Sequence, residues 1–243
     1  GVAVIGPEIR YAAAGGVMLI AYYAILAFPL AVIVPFTAFR SLAAEQEDNT
    51  YDLLSITTLT SGQIVAGKLC SAAVQMLVYF CAVSPCIAFT FLLRGVDATA
   101  VGLLLALTVL GSLGLSMIAL MVGTLTKVRY TQVIISVALV LGLALAFIGS
   151  VTTALEFHHS SHLFIRDVDF WISLAALLTF YVTTFGLLFA AATAQIAFPS
   201  ENRSTPLRWW MIAQQATLVG WLVVPVAMYP EENRIAPELA AFG

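Results

Sequence analysis

Six long runs without a charged residue dominate this chain of 243 residues, and they cover 11–39, 69–93, 98–126, 130–155, 170–200 and 209–230. Each run exceeds the about 20 residues that an α-helix needs to cross the hydrocarbon core of a bilayer. The runs are continuously apolar and lack the alternating pattern of an outer-membrane β-barrel. The sequence therefore predicts an all-α integral membrane protein, with six transmembrane helices in a single domain over 1–243.

The composition agrees with a membrane protein and excludes several other classes. Hydrophobic residues make up 61% of the chain and charged residues 9%, whereas a soluble domain is about 45–50% apolar and about 25% charged. The net charge is −3 with no basic stripe, which excludes nucleic acid as a partner. The three cysteines, Cys70, Cys81 and Cys86, lie in one apolar run without metal-ligand spacing, so we interpret them as small apolar residues of a helix.

Lys and Arg in short loops predict the orientation, because they are retained on the cytoplasmic side. Six of the ten lie on one side if the segment 40–68 is cytoplasmic: Arg40, Lys68, Lys127, Arg129, Arg203 and Arg208. This bias predicts that both ends of the chain are extracytoplasmic. The chain has no initiator Met and no signal peptide at its start, so we expect the domain to be truncated there.

Polar and kinking residues inside the runs predict helix packing rather than an ion path. The expected kinks are at Pro29, Pro35, Pro85 and Pro225, and Ser84 is placed to replace a backbone donor that Pro85 lacks. No run contains a charge, and the amides Gln75, Gln132, Gln195, Gln214 and Gln215 are expected to hydrogen-bond between helices. Small residues every fourth position, Ala138, Gly142, Ala146 and Ser150, predict a helix-packing face. Trp209 and Trp210, like Phe170 and Trp171, are expected at headgroup level.

Two motifs suggest ligands but lack the rest of their sites. Gly62 to Lys68 fits the first seven positions of a phosphate-binding loop, but Leu69 replaces the hydroxyl that binds magnesium and a span follows. The external loop predicted from Glu156 to Asp169 contains three candidate metal ligands, His158, His159 and His162. On a helix, His158 and His162 would share a face, although a solvated interfacial loop is the simpler interpretation.

The segment 40–68 is the long polar connection of the chain. Asn49 or Thr50 can cap a short helix over Tyr51–Leu54, and Thr60 with Gln63 has the spacing of a capping box that starts the next helix. The acids of this amphipathic helix, Glu45, Glu47, Asp48 and Asp52, favour a protein groove over an anionic lipid surface.

The same segment resembles the signature of ABC-2 type exporter permeases. The matching residues are the acids Glu45 and Glu47, the run Asn49-Thr-Tyr-Asp-Leu-Leu54, Thr57, Leu59-Thr60, Ile64-Val65 and Gly67-Lys-Leu69. Asn49 replaces the usual Gly of that signature, and Thr58 takes the usual Pro position. The segment would accordingly form a coupling helix that docks into a groove of a separate ATP-hydrolysing subunit.

The resemblance also implies residue roles, partners and a location. Glu47, Thr50, Asp52, Leu53 and Leu54 would contact the partner, and Gly67 and Lys68 would mark the start of the second span. The chain would be a permease of the cell (inner or cytoplasmic) membrane, without an ATPase site or a cofactor of its own, while ATP and Mg belong to the partner. A second permease copy, or a homologous permease, and membrane lipid would be its other partners.

Two other functions stay open at the level of sequence. The chain could be a non-transporting anchor that recruits a cytoplasmic partner, or a metal-handling protein that uses the histidines. The substrate of an exporter cannot be inferred, because many lipids, peptides, polysaccharides and drugs suit an uncharged apolar path.

Overall fold

The computed structural model of the chain describes residues 14–47, 60–91, 98–125, 129–164, 167–197 and 204–228. Every secondary-structure element in these ranges is helical. In chain order the α-helices are α1 (Ala14–Phe28), α2 (Val34–Glu47), α3 (Ser61–Phe91), α4 (Ala98–Leu125), α5 (Arg129–Phe164), α6 (Val168–Ile196) and α7 (Ser204–Met228). A π-helical segment, Pro29–Ile33, joins α1 to α2.

Five stretches of these residues are long and apolar enough to cross a membrane: Met18–Ala44, Ser61–Phe89, Thr99–Leu125, Tyr130–Glu156 and Val168–Ile196. A helix satisfies its own backbone polar groups, as lipid requires. The described chain is therefore a multi-pass, all-α membrane protein, as predicted. Helix α7 covers most of the sixth uncharged run but is not among the five stretches, so the sixth span stays a prediction.

The helices extend past the charges that end the uncharged runs. Helix α2 includes Arg40 and continues to Glu47, and α3 begins at Ser61, before Lys68. The predicted connection 40–68 is thus helical at both ends. Likewise, the loop predicted from Glu156 to Asp169 is wrong over most of its length, because α5 continues to Phe164. A charge limits how deeply a helix sits in lipid, but it does not interrupt the backbone hydrogen bonds that propagate the helix.

The α1–α2 helix is the centre of the bundle, and α5 lies at its edge. Among the 18 most apolar consecutive residues of each stretch, 44% are buried in Met18–Ala44 and 6% in Tyr130–Glu156. Helix α2 packs most extensively on α4. Its buried residues Val34 and Leu42 join Val65 of α3 and Leu120 of α4 in the largest apolar cluster. Van der Waals packing stabilises such a cluster in lipid, because lipid tails are as apolar as the side chains.

The predicted small-residue packing face of α5 is only partly correct. Ala138 and Gly142 are exposed, while Ala146 and Ser150 are half-buried. The helix contacts the bundle nearer its C-terminal end, where Ala154 is buried against Tyr23 and Ala27. The ring of Phe147 also lies 5.6 Å from that of Phe28 in an edge-to-face pair. Regular spacing of small residues permits close packing, but which face packs is decided by the neighbouring helices.

Helices α6 and α7 pack on one another as a hairpin. Trp221 Nε1 donates to Thr179 Oγ1 at 2.7 Å. The half-buried Trp210 packs closely on Gly186 of α6, where an added Cβ would lie 2.4 Å from the indole. Trp210 is therefore a helix-packing residue, whereas its neighbour Trp209 is exposed as expected of an anchor in the headgroup region.

The hydrogen bond expected from Ser84 beside Pro85 is confirmed, and Pro85 lies inside the continuous helix α3. Proline has no N–H, so Pro85 leaves the carbonyl of Cys81, four residues earlier, without its helical donor. Ser84 Oγ donates to that carbonyl at 3.2 Å. The hydroxyl thus replaces the missing backbone bond within α3.

Candidate functional site

The coupling helix expected from the sequence falls mostly outside the described residues. Thr50, Asp52, Leu53 and Leu54 belong to the stretch 48–59, which the structure does not describe. Glu47 is the last residue of α2, and its side chain is likewise outside the description. What the structure does describe is the pair of helix ends on either side of this stretch.

The start of α3 is a reciprocal capping box. The backbone N–H of Thr60 donates to Gln63 Oε1 at 3.0 Å, and the N–H of Gln63 is 3.4 Å from Thr60 Oγ1. The N–H groups of Gln63 and Ile64 also point to the Thr60 carbonyl, at 3.0 and 3.3 Å. These bonds satisfy donors that a helix start otherwise leaves unpaired, so the predicted capping box is confirmed.

Gly67 and Lys68 lie inside α3 rather than at its start. The helix begins at Ser61, so these residues mark a later turn of the second span than the sequence predicts. The whole stretch from Gly62 to Lys68 is helical. A phosphate-binding loop requires a non-helical backbone whose N–H groups surround the phosphate, and this helix leaves no such loop.

Lys68 ties α3 to α2. Its Nζ donates to the Ser41 carbonyl at 3.1 Å and lies 3.5 Å from Ser41 Oγ. Further along the same pair of helices, Thr37 Oγ1 lies 2.9 Å from Gln75 Oε1. Polar bonds therefore join α2 and α3 about two turns and more from the stretch 48–59.

These bonds belong to a polar groove between α2 and α3, with a volume of about 210 Å³. Its lining residues are Thr37, Ala38, Ser41, Gly67, Lys68, Ser71, Ala72 and Gln75. On α2 the wall carries two hydroxyls four residues apart, and on α3 it carries polar residues at spacings of three and four, so each set lies on one helix face: Thr37 and Ser41, and Lys68, Ser71 and Gln75. That pairing of polar stripes is the sequence signal by which Thr37, Ser41 and Ser71 could have been identified. The polar side chains of the groove are hydroxyls, one amide and one amine, so it offers hydrogen bonds to an occupant.

Helix α2, which forms one wall of this groove, also packs closely on α4. Phe39 and Leu42 are fully or almost fully buried. Gly123 of α4 lets the two helices approach closely, since a Cβ there would lie 3.4 Å from the Phe39 carbonyl and 3.5 Å from Leu42 Cβ. The α2–α4 contact is therefore closely packed at this point.

The π-helical segment between α1 and α2 depends on a serine of α4. The N–H of Val34 donates to the Pro29 carbonyl, five residues back, and the next residue, Pro35, has no N–H. The buried carbonyl of Leu30 is consequently left without a donor from its own helix. Ser112 Oγ of α4 donates to it at 2.5 Å. Segments of this type occur often at functional sites.

Amides join helices elsewhere in the spans, as predicted. Gln195 Oε1 of α6 lies 2.6 Å from Thr124 Oγ1 of α4. Gln214 Nε2 of α7 donates to Thr184 Oγ1 of α6 at 3.3 Å. With Gln75, three of the five amides therefore make bonds between helices in the described chain.

The histidines fall on a helix, but their ligand role is not tested. His158, His159 and His162 lie in the last turns of α5, so His158 and His162 are one turn apart in the backbone. Their side chains are outside the described set. Among the residues that are described, no group of three or more His, Cys, Asp or Glu is placed to hold a metal ion.

Comparison with protein-family models, with curated proteins and with solved structures found no match to this chain. The fold itself defines the class: a multi-pass helical membrane protein with a polar groove where its first two spans meet the connecting segment.

Proposed function

We propose that this chain is the membrane-spanning subunit of an ATP-driven exporter of the ABC-2 type. The stretch 48–59 then forms the coupling helix, in which Thr50, Asp52, Leu53 and Leu54, together with Glu47, bind a cytoplasmic ATPase subunit. ATP and Mg bind to that partner, and this chain has no ATPase site. The chain pairs with a second permease in the cytoplasmic membrane.

The observation that carries the proposal is the polar bonding between α2 and α3, the two helices on either side of the stretch 48–59. Lys68 and Ser41 join α3 to α2, and the capping box at Thr60 fixes where α3 begins. A push on a segment held between two tied helices moves both helices together. The tight contact of Leu42 with Gly123 extends that movement into α4. Such a route is what coupling to a soluble ATPase requires.

A sixth span completes the proposed topology. Helix α7 has 25 residues, about 37 Å at ~1.5 Å per residue, which is enough to cross a bilayer. The bonds from Gln214 to Thr184 and from Trp221 to Thr179 show that α7 runs antiparallel along α6. An antiparallel partner of a spanning helix returns the chain across the membrane.

The first test is co-purification from native membranes in mild detergent, followed by mass spectrometry. We expect a stoichiometric P-loop ATPase with the wild-type chain and its loss from a Leu53→Asp, Leu54→Asp double variant. Leu125→Asp is the matched control, because Leu125 is an exposed leucine at the end of α4 on the same predicted membrane face. Loss of the ATPase from both variants, or from neither, would refute the docking site.

A third variant separates docking from transmission. Lys68→Met removes the bond to Ser41 and leaves the stretch 48–59 unchanged, so the ATPase should remain bound while its hydrolysis no longer responds to the permease. Full function with a hydrolysis-deficient partner would instead favour a non-transporting anchor. Metal retained after purification, and lost on replacing the three histidines with alanine, would favour the metal-handling alternative.

A further inference from the structure

A large apolar cavity opens between the spans, away from the polar groove. Its volume is about 440 Å³, and its walls come from α1, the π-helical segment, α4, α5 and α6. On α4 the lining extends from Leu104 to Ile118, well inside the span Thr99–Leu125. Ala146 on α5 and Tyr181 on α6 face it from the two sides. The cavity therefore lies at membrane depth.

The polar atoms of the lining are already bonded within the protein. Thr108 Oγ1 donates its hydrogen to the Leu104 carbonyl at 2.7 Å. The Tyr23 hydroxyl, 2.9 Å from Thr108 Oγ1, is therefore the donor in the bond between these two hydroxyls. Tyr181 donates to the Leu110 carbonyl at 2.6 Å.

The remaining lining hydroxyls follow the same pattern. Ser112 donates to the Leu30 carbonyl, Ser150 to that of Phe147 at 2.7 Å, and Thr153 to that of Gly149 at 2.8 Å. No Asp, Glu, Lys, Arg or His is among the residues that line the cavity. An occupant consequently meets no charge and no uncommitted donor, only hydroxyl oxygens that can accept, so the lining favours an uncharged and largely apolar occupant.

The size of the cavity suits a hydrocarbon chain. Ligand sites range over about 300–1,000 Å³, and an apolar cavity of about 150 Å³ stays dry and binds benzene. The cavity volume of about 440 Å³ is roughly three times that of the apolar cavity that binds benzene. The occupants that reach an uncharged opening at this depth come from the bilayer, whose acyl chains surround the spans.

We propose that this cavity binds one acyl chain of a bilayer phospholipid, inserted sideways between α5 and α6 over the α4 wall. The site rests only on the membrane-spanning fold, and it would stand if the exporter proposal failed. The headgroup stays outside the cavity, because the lining offers it no partner.

Glycines of α4 provide a matched pair of variants. Gly111 lines the cavity, and a Cβ added there meets nothing within 4 Å. Gly111→Leu should therefore fill the site without disturbing the helix. Gly102 lies on the same helix, also has nothing within 4 Å of an added Cβ, and is outside the lining. Gly102→Leu therefore controls for a leucine on an exposed face of α4. Ala146→Leu fills the same space from the α5 wall.

The experiment reconstitutes the full chain in phosphatidylcholine vesicles that contain a small fraction of phosphatidylcholine with a diazirine on one acyl chain. After illumination, mass spectrometry maps the labelled residues. We expect labelling on the inner wall of α4 around Gly111, a several-fold loss in Gly111→Leu and Ala146→Leu, and wild-type labelling in Gly102→Leu. Equal labelling of the wall in wild type and both filling variants would overturn the proposal. Labelling confined to outward-facing residues would also overturn it.

Discussion

Removing the Ser112 hydroxyl tests whether α4 sustains the π-helical segment. In Ser112→Ala the carbonyl of Leu30 loses the donor that replaces its missing helical partner, and both residues are buried, at 2% and 0% exposure. An unsatisfied buried acceptor costs about 1–3 kcal/mol in proteins. Hydrogen bonds between membrane helices average about 0.6 and reach about 1.7 kcal/mol. We therefore expect a loss of about 1–1.5 kcal/mol, at the upper end of the membrane values, because the lone acceptor has no alternative donor.

Ser116→Ala is the matched control. Ser116 is on the same helix and fully buried, but its hydroxyl bonds to the Ser112 carbonyl of its own helix, at 2.8 Å. That carbonyl keeps its backbone donor when the hydroxyl is removed, so no acceptor is orphaned. Alanine also has a better helix propensity than serine, by up to about 0.5 kcal/mol. Ser116→Ala should accordingly be neutral or slightly stabilising, and both variants share the same propensity gain.

The assay is reversible unfolding of the purified chain by SDS titration in mixed micelles, followed through its four tryptophans. Ser112→Ala should unfold at a lower SDS fraction than wild type, and Ser116→Ala at the same or a higher one. If the two variants unfold together, Ser112 is not the donor on which the Leu30 carbonyl depends. The π-helical segment would then not depend on the Ser112 hydroxyl.

Two further substitutions test the packing of single helices. Gly186→Ala places a Cβ 2.4 Å from the Trp210 indole, and overpacking of this kind costs about 1–3 kcal/mol. The rate of proteolysis from the α7 end should therefore rise. Gly220→Ala, with open space around its Cβ, should leave that rate unchanged. Ser84→Ala removes the donor to the carbonyl that the next residue, a proline, leaves unpaired. It should lower the free energy of unfolding by about 0.5–1 kcal/mol and so lower the SDS midpoint; an unchanged midpoint would show that the helix does not need the hydroxyl.

The features that the sequence predicted correctly are those decided within one helix or by the membrane. Long uncharged runs predict spanning helices because lipid excludes charge and unpaired backbone. The capping box of Thr60 and Gln63 and the donor role of Ser84 depend on residues three or four apart, so spacing alone identifies them. The sequence predicts that the Gln side chains form hydrogen bonds between helices, since an amide in lipid finds a partner. It does not predict which residue is the partner.

The features that the sequence did not predict depend on contacts between distant residues. The Ser41 carbonyl accepts a hydrogen bond from Lys68 because α2 and α3 lie side by side, and the spacing of residues along either helix does not reveal that pairing. The exposure of Ala138 follows from the absence of a neighbouring helix on that side of α5 in the described chain. The coupling residues around Leu53 and Leu54 remain predictions, because they fall outside the described ranges.

The π-helical segment connects the two sites of this molecule. Leu30 depends on Ser112, which also lines the acyl-chain cavity, and Ala31 of the segment lines the same cavity. One residue of register along a helix corresponds to a rotation of about 100°. A change between π and α register in this segment would rotate α1, and with it Tyr23 of the cavity wall, against α2. Because α2 also forms the polar groove through Ser41, this one segment joins the helix of the groove to a wall of the cavity.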